Sequence, residues 1–288
     1  MPRTKQPRLR IRQKLGKYRL EKRLGENAFA RVFQASDTIM GSKVALKVPR
    51  ARFINERLIR TFRRELPLLA SVEHPGIVTP RDASIVDGRL VLSLPLGMET
   101  LKDRLSRRIS FETCLRLIDQ LLATTSFVHE RRQVHGSLRA QNILLFPDGA
   151  ARIADLGLAK IARASCSLSD YGVKHLAPEI ADGRCTAASD VFSLGVLCFR
   201  MLSGVWPEAP YDQPFHGHQK LTSRLPPSAI AWLYKATDKR VSKRYSSATQ
   251  MRNAFQRIRN EVIRCSRKSS PRQSVRMVSV RQRVRRAA

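Results

Sequence analysis

The chain has 288 residues, 42% of them hydrophobic and with ordinary Gly and Pro content, which is enough to bury a substantial core and excludes a low-complexity polymer. Its formal charge of +31 is uneven: residues 1–23 and 257–288 hold 21 of the 54 Lys and Arg against two acidic residues, Glu21 and Glu261. No apolar run reaches the roughly 18 residues that span a bilayer, and the Arg-rich start lacks the apolar core of a secretory signal. Cys114, Cys166, Cys185, Cys198 and Cys265 are odd in number, widely spaced and without a C-x-x-C pair; free thiols and a cytoplasmic location are expected, and a structural zinc site is not.

Residues 1–17 read as a basic extension. From Tyr18 the sequence breaks into short strands, Tyr18 to Leu24, Ala30 to Ala35 and Lys43 to Val48, followed by a charged helix from about Asn55 to Ser71. Two further strands fit Ile77 to Val86 and Arg89 to Leu94, with the turn pair Asp87-Gly88 between them. After Gly97 the spacing becomes helical, in Phe111 to Glu130, Ala188 to Leu202 and Pro227 to Ala236. The predicted organisation is a small lobe over about 18–95, a larger, mostly helical lobe over about 96–262, and a basic tail over 263–288, poor in large apolar residues and expected to be disordered.

Several segments carry chemistry. Gly25-Glu26-Asn27-Ala28-Phe29-Ala30-Arg31-Val32 joins the first two strands. Lys47 ends Val44-Ala45-Leu46-Lys47 on the third, and Glu65 lies 18 residues later on the helix. His135-Gly136-Ser137-Leu138-Arg139-Ala140-Gln141-Asn142 is followed, thirteen residues past its Asn, by Asp155-Leu156-Gly157. Ala177-Pro178-Glu179, Ser189-Asp190-Val191-Phe192-Ser193-Leu194-Gly195 and Lys243-Arg244-Tyr245 come after.

In this order the segments resemble the protein kinase superfamily, eukaryotic-type Ser/Thr branch, over roughly residues 18–260, where the corresponding patterns are G-x-G-x-x-G-x-V, V-A-I-K, H-R-D-L-x-x-x-N, D-F-G and A-P-E. The resemblance implies an α+β, bilobal fold with an antiparallel-sheet N-lobe carrying one main helix and a helical C-lobe. It also implies ATP and Mg²⁺ as ligands. Lys47 would contact the α and β phosphates and pair with Glu65; Asn142 and Asp155 would hold the metal, since Mg²⁺ takes oxygen ligands and is shared between one or two protein groups and the phosphates. Gly25, Asn27 and Val32 would form the phosphate loop. Val32, Ala45, Leu92 and Leu144 are candidates for the apolar adenine slot, with Leu92, Ser93, Leu94 and Pro95 as the segment between the lobes. Asp190 would bond the backbone of the catalytic loop, and Arg244 would pair with Glu179.

The departures from the pattern are as telling. Ser137 stands where the family has its catalytic Asp, and a neutral hydroxyl cannot accept a proton as a carboxylate does; positioned general-base catalysis contributes about 10²- to 10⁴-fold. Gly136 replaces the Arg that pairs with a phosphorylated activation loop, leaving Ser165, Ser167 and Ser169 without that partner. Gly172 replaces a bracing Thr. Arg139 replaces a γ-phosphate Lys, keeping the charge on a planar fork. In the phosphate loop, Asn27 tolerates the left-handed region a glycine would adopt, while Ala30 adds a methyl group. Pro95 has no N–H where one adenine bond normally originates.

The resulting expectation is a pseudokinase or strongly impaired kinase, binding Mg·ATP and regulating an unknown protein partner. One alternative is a working Ser/Thr kinase with a non-standard catalytic loop. Another is a protein that binds nucleic acid or another anionic surface through its basic ends, such as Arg8 to Lys14 and Arg281 to Arg286.

Overall fold

A computed structural model of the chain describes residues 7–27, 29–70, 72–157 and 175–269. Ser165, Ser167, Ser169, Gly172 and Arg281 to Arg286 lie outside them.

The small lobe is a six-stranded antiparallel sheet, ordered β1-β2-β3-β4-β6-β5, from β1 (Lys14–Leu15), β2 (Tyr18–Glu26), β3 (Ala30–Asp37), β4 (Lys43–Pro49), β5 (Asp82–Val86) and β6 (Arg89–Pro95). Alternation of apolar residues buries Leu15, Leu20, Phe33, Val44, Leu46 and Val91 on one side. The other side takes α1 (Glu56–Ala70), which begins where Asn55 Oδ1 accepts the Leu58 N–H at 2.8 Å and packs Leu58 and Phe62 against Phe29, Leu90 and Leu92.

A three-stranded sheet of β7 (Glu99–Thr100), β8 (Ile143–Leu145) and β9 (Ala151–Ile153) opens the large lobe. Among the described residues its helices are α2 (Leu101–Arg104), α3 (Phe111–Glu130), α4 (Ala187–Ser203), α5 (His218–Thr222), α6 (Pro227–Ala236) and α7 (Ala248–Ser269). Helix α4 is buried from Ala188 to Phe199, as expected of a helix apolar all round. Around it pack Leu121 and Leu122 of α3, Trp232 and Leu233 of α6, and Met251 and Phe255 of α7.

Three expectations need correction. Residues 14 and 15 are a strand of the sheet, Leu9 is buried in the same core, and Arg89 donates to the Pro7 carbonyl at 2.5 Å, so the basic N-terminal segment is part of the lobe from residue 7. The segment from Arg264 continues α7 as far as Ser269, because Ile258, Val262 and Ile263 prolong the apolar stripe begun by Met251 and Phe255. The strand expected from Ile77 starts only at Asp82: Pro80 lacks the ladder N–H, and Ile77 makes a single parallel bridge to Ile153 of the large lobe instead.

Candidate active site

The cleft between the lobes is built around the loop over residues 135–142, which leaves α3 and returns into β8. Asp190, in the first turn of α4, holds this loop: its carboxylate accepts the N–H groups of His135 and Gly136, each at 2.7 Å, and the His129 ring N–H at 3.0 Å. The other His129 nitrogen, Nδ1, accepts the Ala248 N–H at 2.9 Å, so the neutral ring carries its proton on Nε2. One buried carboxylate thereby joins α3, α4, α7 and the loop. Gly136 has φ +67°, in the left-handed region, where an L-residue carries a penalty of about 1–2 kcal/mol.

His135 is buried and locks the loop to the strand that follows. Its Nδ1 accepts the Ser137 N–H at 3.1 Å and its Nε2 donates to the Ala154 carbonyl at 2.9 Å. Burial lowers its pKa, favouring this neutral tautomer. Ser137 has no exposed surface, and its Oγ accepts from Asn142 Nδ2 at 3.2 Å, while the same Nδ2 donates to the Ser137 carbonyl at 2.9 Å. The amide nitrogen of Asn142 is committed to Ser137, which leaves its carboxamide oxygen as the group able to take a cation.

The second candidate metal ligand is tied to the first through the backbone, since the Ala154 N–H donates to the Asn142 carbonyl at 2.7 Å and Asp155 follows directly. Asp155 has φ +67°, an uncommon conformation for a non-glycine residue and one that clusters at functional sites. Lys47 Nζ lies 2.6 Å from Asp155 Oδ1, with side chains only 5% and 12% exposed. The ammonium thus sits directly against the candidate metal ligand Asp155. Glu65 is on α1, but its side chain lies outside the described residues. An amide oxygen, a carboxylate and an adjacent lysine suit a divalent cation carrying phosphates.

Beside them, Val32, Ala45, Leu94 and Leu144 come together with Val78 and Ala154 as an apolar cluster bridging both lobes, a suitable slot for a flat base. Leu92 is elsewhere. The face of β6 that carries Leu90, Leu92 and Leu94 is covered first by α1 and then by the cleft, so Leu92 packs against Phe62 and Leu58 while Leu94 reaches the slot. Pro95 stands opposite Val44 at the end of the strand.

The loop over Gly25 to Val32 behaves differently from its sequence expectation. Gly25 pairs with Val32 across the hairpin. Asn27 is not among the residues with positive φ; its carboxamide oxygen accepts the N–H groups of Phe29 at 2.9 Å and Ala30 at 2.7 Å. Those amides are of the kind a phosphate would use. Phe29 turns inward into the α1 cluster, 5.7 Å from the Phe53 ring, and Arg50 Nε donates to the Asn27 carbonyl at 3.0 Å. The loop is therefore folded on itself. A polar residue with a local carboxamide, just before an apolar anchor, was the available signal.

Of the supporting positions, Arg244 makes a two-pronged buried ion pair with Glu179, at 2.7 and 3.0 Å, as anticipated. Ile77, Val128 and Leu156 form a small cluster linking the lobes. Arg139 precedes the turn Ala140–Asn142, and its side chain borders a separate cavity. The structural role of His129 is not marked by any of the sequence motifs; a histidine at the end of an otherwise apolar α3 face is the trace it leaves.

A family model described as protein kinase domain matches residues 18–265. The chain is 29% identical over 260 residues to the probable serine/threonine-protein kinase PknB of Lactococcus lactis, covering 82% of this chain and 41% of that protein. To the serine/threonine-protein kinase PknA of Mycobacterium tuberculosis it is 32% identical over 223 residues, 72% of this chain and 50% of that one. The chain thus spans about two-fifths to a half of the length of the curated relatives it matches. The crystal structure of the Mycobacterium tuberculosis PknI kinase domain superposes with a TM-score of 0.66 over 87% of this chain and 99% of that one, at 18% identity.

Proposed function

Because the chain belongs to the protein kinase family, we propose that it binds Mg·ATP in the interlobe cleft and transfers the γ-phosphate to Ser or Thr hydroxyls very slowly, acting chiefly as a nucleotide-bound regulator of a protein partner. One observation carries this reading. The catalytic-base position is filled by Ser137, whose buried hydroxyl is taken up by Asn142, while Lys47 and Asp155 remain together.

Bound Mg²⁺ would supply the electrostatic stabilisation of the phosphoryl group. This chain's own contributions are distinct. Asn142 and Asp155 present oxygens, and Lys47 offers an ammonium to phosphate in place of Asp155. The Val32, Ala45, Leu94 and Leu144 slot excludes water from a base. Ser137, with a hydroxyl pKa far above neutrality, leaves the proton of an incoming alcohol without an acceptor. Because phosphoryl transfer passes through a loose transition state, the missing base slows the reaction more than it forbids it.

The test is single-turnover transfer to a generic Ser/Thr substrate at saturating Mg·ATP, in wild type and Ser137→Asp. Wild type should be slow, and the Asp variant faster by about 10- to 10³-fold, within the range of positioned bases. Wild-type turnover at ordinary kinase rates of about 1–100 s⁻¹ would instead establish the working kinase with a non-standard loop.

A further inference from the structure

On the large-lobe side of the catalytic loop, away from the nucleotide slot, lies a cavity of about 110 Å³ lined by Lys102, Leu138, Arg139, Ala140, Gln141, His175, Leu197 and Trp206. Its chemistry is one-sided. Two fixed cations, an imidazole and a carboxamide face it, and among the described residues no carboxylate lines it. The apolar walls come from Leu138 and Leu197, and from Trp206, which stacks on the His175 ring with centroids 4.2 Å apart and planes 18° from parallel.

The walls are rigidly supported. His175 has φ +67°, an unusual backbone state for a side-chain-bearing residue, and the Tyr211 phenol hydrogen-bonds its backbone. Arg200 of α4 lies over the Trp206 ring, 5.7 Å from its centroid, and donates through Nη2 to the Leu105 carbonyl at 2.5 Å, next to the α2 helix that carries Lys102. Arg139 enters from the catalytic loop, two residues after Ser137. The two cations therefore come from separate elements, Lys102 from α2 and Arg139 from the catalytic loop, onto one small space, as in sites that orient a tetrahedral oxyanion.

We propose that this cavity binds the phosphoryl group of a phosphorylated side chain on a partner protein, with Lys102 and Arg139 as its cationic contacts and Trp206 and His175 as its flat wall. The proposal rests on the reading of the protein as a regulator that transfers phosphate poorly, and specifies the partner: an already phosphorylated segment held beside a catalytic loop without a base. The small volume suits one tetrahedral head-group on a short stem. A nucleic-acid backbone would instead call for an extended basic track with bases stacked on aromatics.

The chain has two tryptophans; Trp232 is buried against Phe255, while Trp206 borders the cavity. Intrinsic fluorescence is therefore a local reporter. The full chain would be titrated with a capped alanine pentapeptide bearing central phosphoserine, with the same peptide carrying serine, with an aspartate version, and with inorganic phosphate. The phosphopeptide should change Trp206 emission saturably and bind at least tenfold more tightly than the serine and aspartate peptides and than inorganic phosphate. The change should vanish in Trp206→Phe, and affinity should fall at least tenfold in Lys102→Glu. Lys102 is exposed, so that variant should keep the wild-type melting temperature and Mg·ATP response.

Equal binding of phosphorylated and unphosphorylated peptides would overturn the proposal, as would an affinity unaffected by Lys102→Glu. Inorganic phosphate binding as tightly as the phosphopeptide would also overturn it, leaving a free-anion site. Phosphopeptide binding without any Mg·ATP response would retain the cavity and remove the nucleotide reading. The converse result would do the opposite.

Discussion

The hairpin loop over Gly25 to Val32 and the buried polar framework of the large lobe are held together in different ways. At Asp190, His129, Glu179 and Arg244 the charged and polar groups have partners from other elements, whereas the Phe29 and Ala30 amides are satisfied locally by the Asn27 carboxamide. A buried group whose removal strands several donors is expensive to change. A surface hairpin can redirect its amides through one carboxamide. Retained architecture therefore says little by itself about retained chemistry; that must be read at Ser137 and Asn27.

The comparison breaks most visibly in the framework. Asp190→Ala should lose at least about 3 kcal/mol, because it leaves two loop amides and the His129 N–H unpaired in the interior, at about 1–3 kcal/mol each; urea denaturation would show it. Arg244→Met should lose about 3–5 kcal/mol by leaving Glu179 buried and unpaired. The double variant Glu179→Met with Arg244→Met should recover most of that loss. A strictly additive result would deny the pair its buried character.

Acid should separate the regions next. The Glu179 carboxyl is pushed up by burial but held below its ordinary value, on balance, by Arg244 and Ser189. Its contribution is complete above the unfolded carboxyl pKa of about 4.3 and is lost as pH falls through the lower folded value. His135 is depressed by burial, so below about pH 6.5 the unfolded chain binds the extra proton and stability declines. Urea midpoints should fall modestly between pH 7 and 5.5 and more steeply below 4. His135→Asn should remove the first part, and an unchanged fall above pH 5.5 would absolve the histidine.

The smallest stability effect belongs to the loop. Asn27→Gly frees the Phe29 and Ala30 amides and should cost about 1 kcal/mol or less, a typical net value for such hydrogen bonds. Mg·ATP affinity by calorimetry should nevertheless rise several-fold. A fall in affinity would mean that the carboxamide supports the nucleotide-binding shape of the loop.

Motifs with a fixed chemical order were legible in the sequence: β2, β3, β4 and β6 of the small lobe, α3, α4, α6 and the Glu179–Arg244 pair all lie where the resemblance or the apolar spacing put them. Composition concealed the rest. Leu9 and Leu15 are single apolar residues among cations, and Met251, Phe255 and Val262 hold an Arg-rich helix to the core through only one face. Pro80 ended a strand that β-branched residues suggested. Leu92 and Leu94 share a strand face, so only the position of α1 could tell which of them reaches the cleft.

The central claim is that the nucleotide cleft survives although the base is gone. Calorimetric titration of the full chain with Mg·ATP, beside Asp155→Ala, tests it directly. The account predicts saturable, magnesium-dependent binding by wild type and at least tenfold weaker binding by Asp155→Ala. No binding at millimolar Mg·ATP, or equal binding by both proteins with and without magnesium, would contradict it.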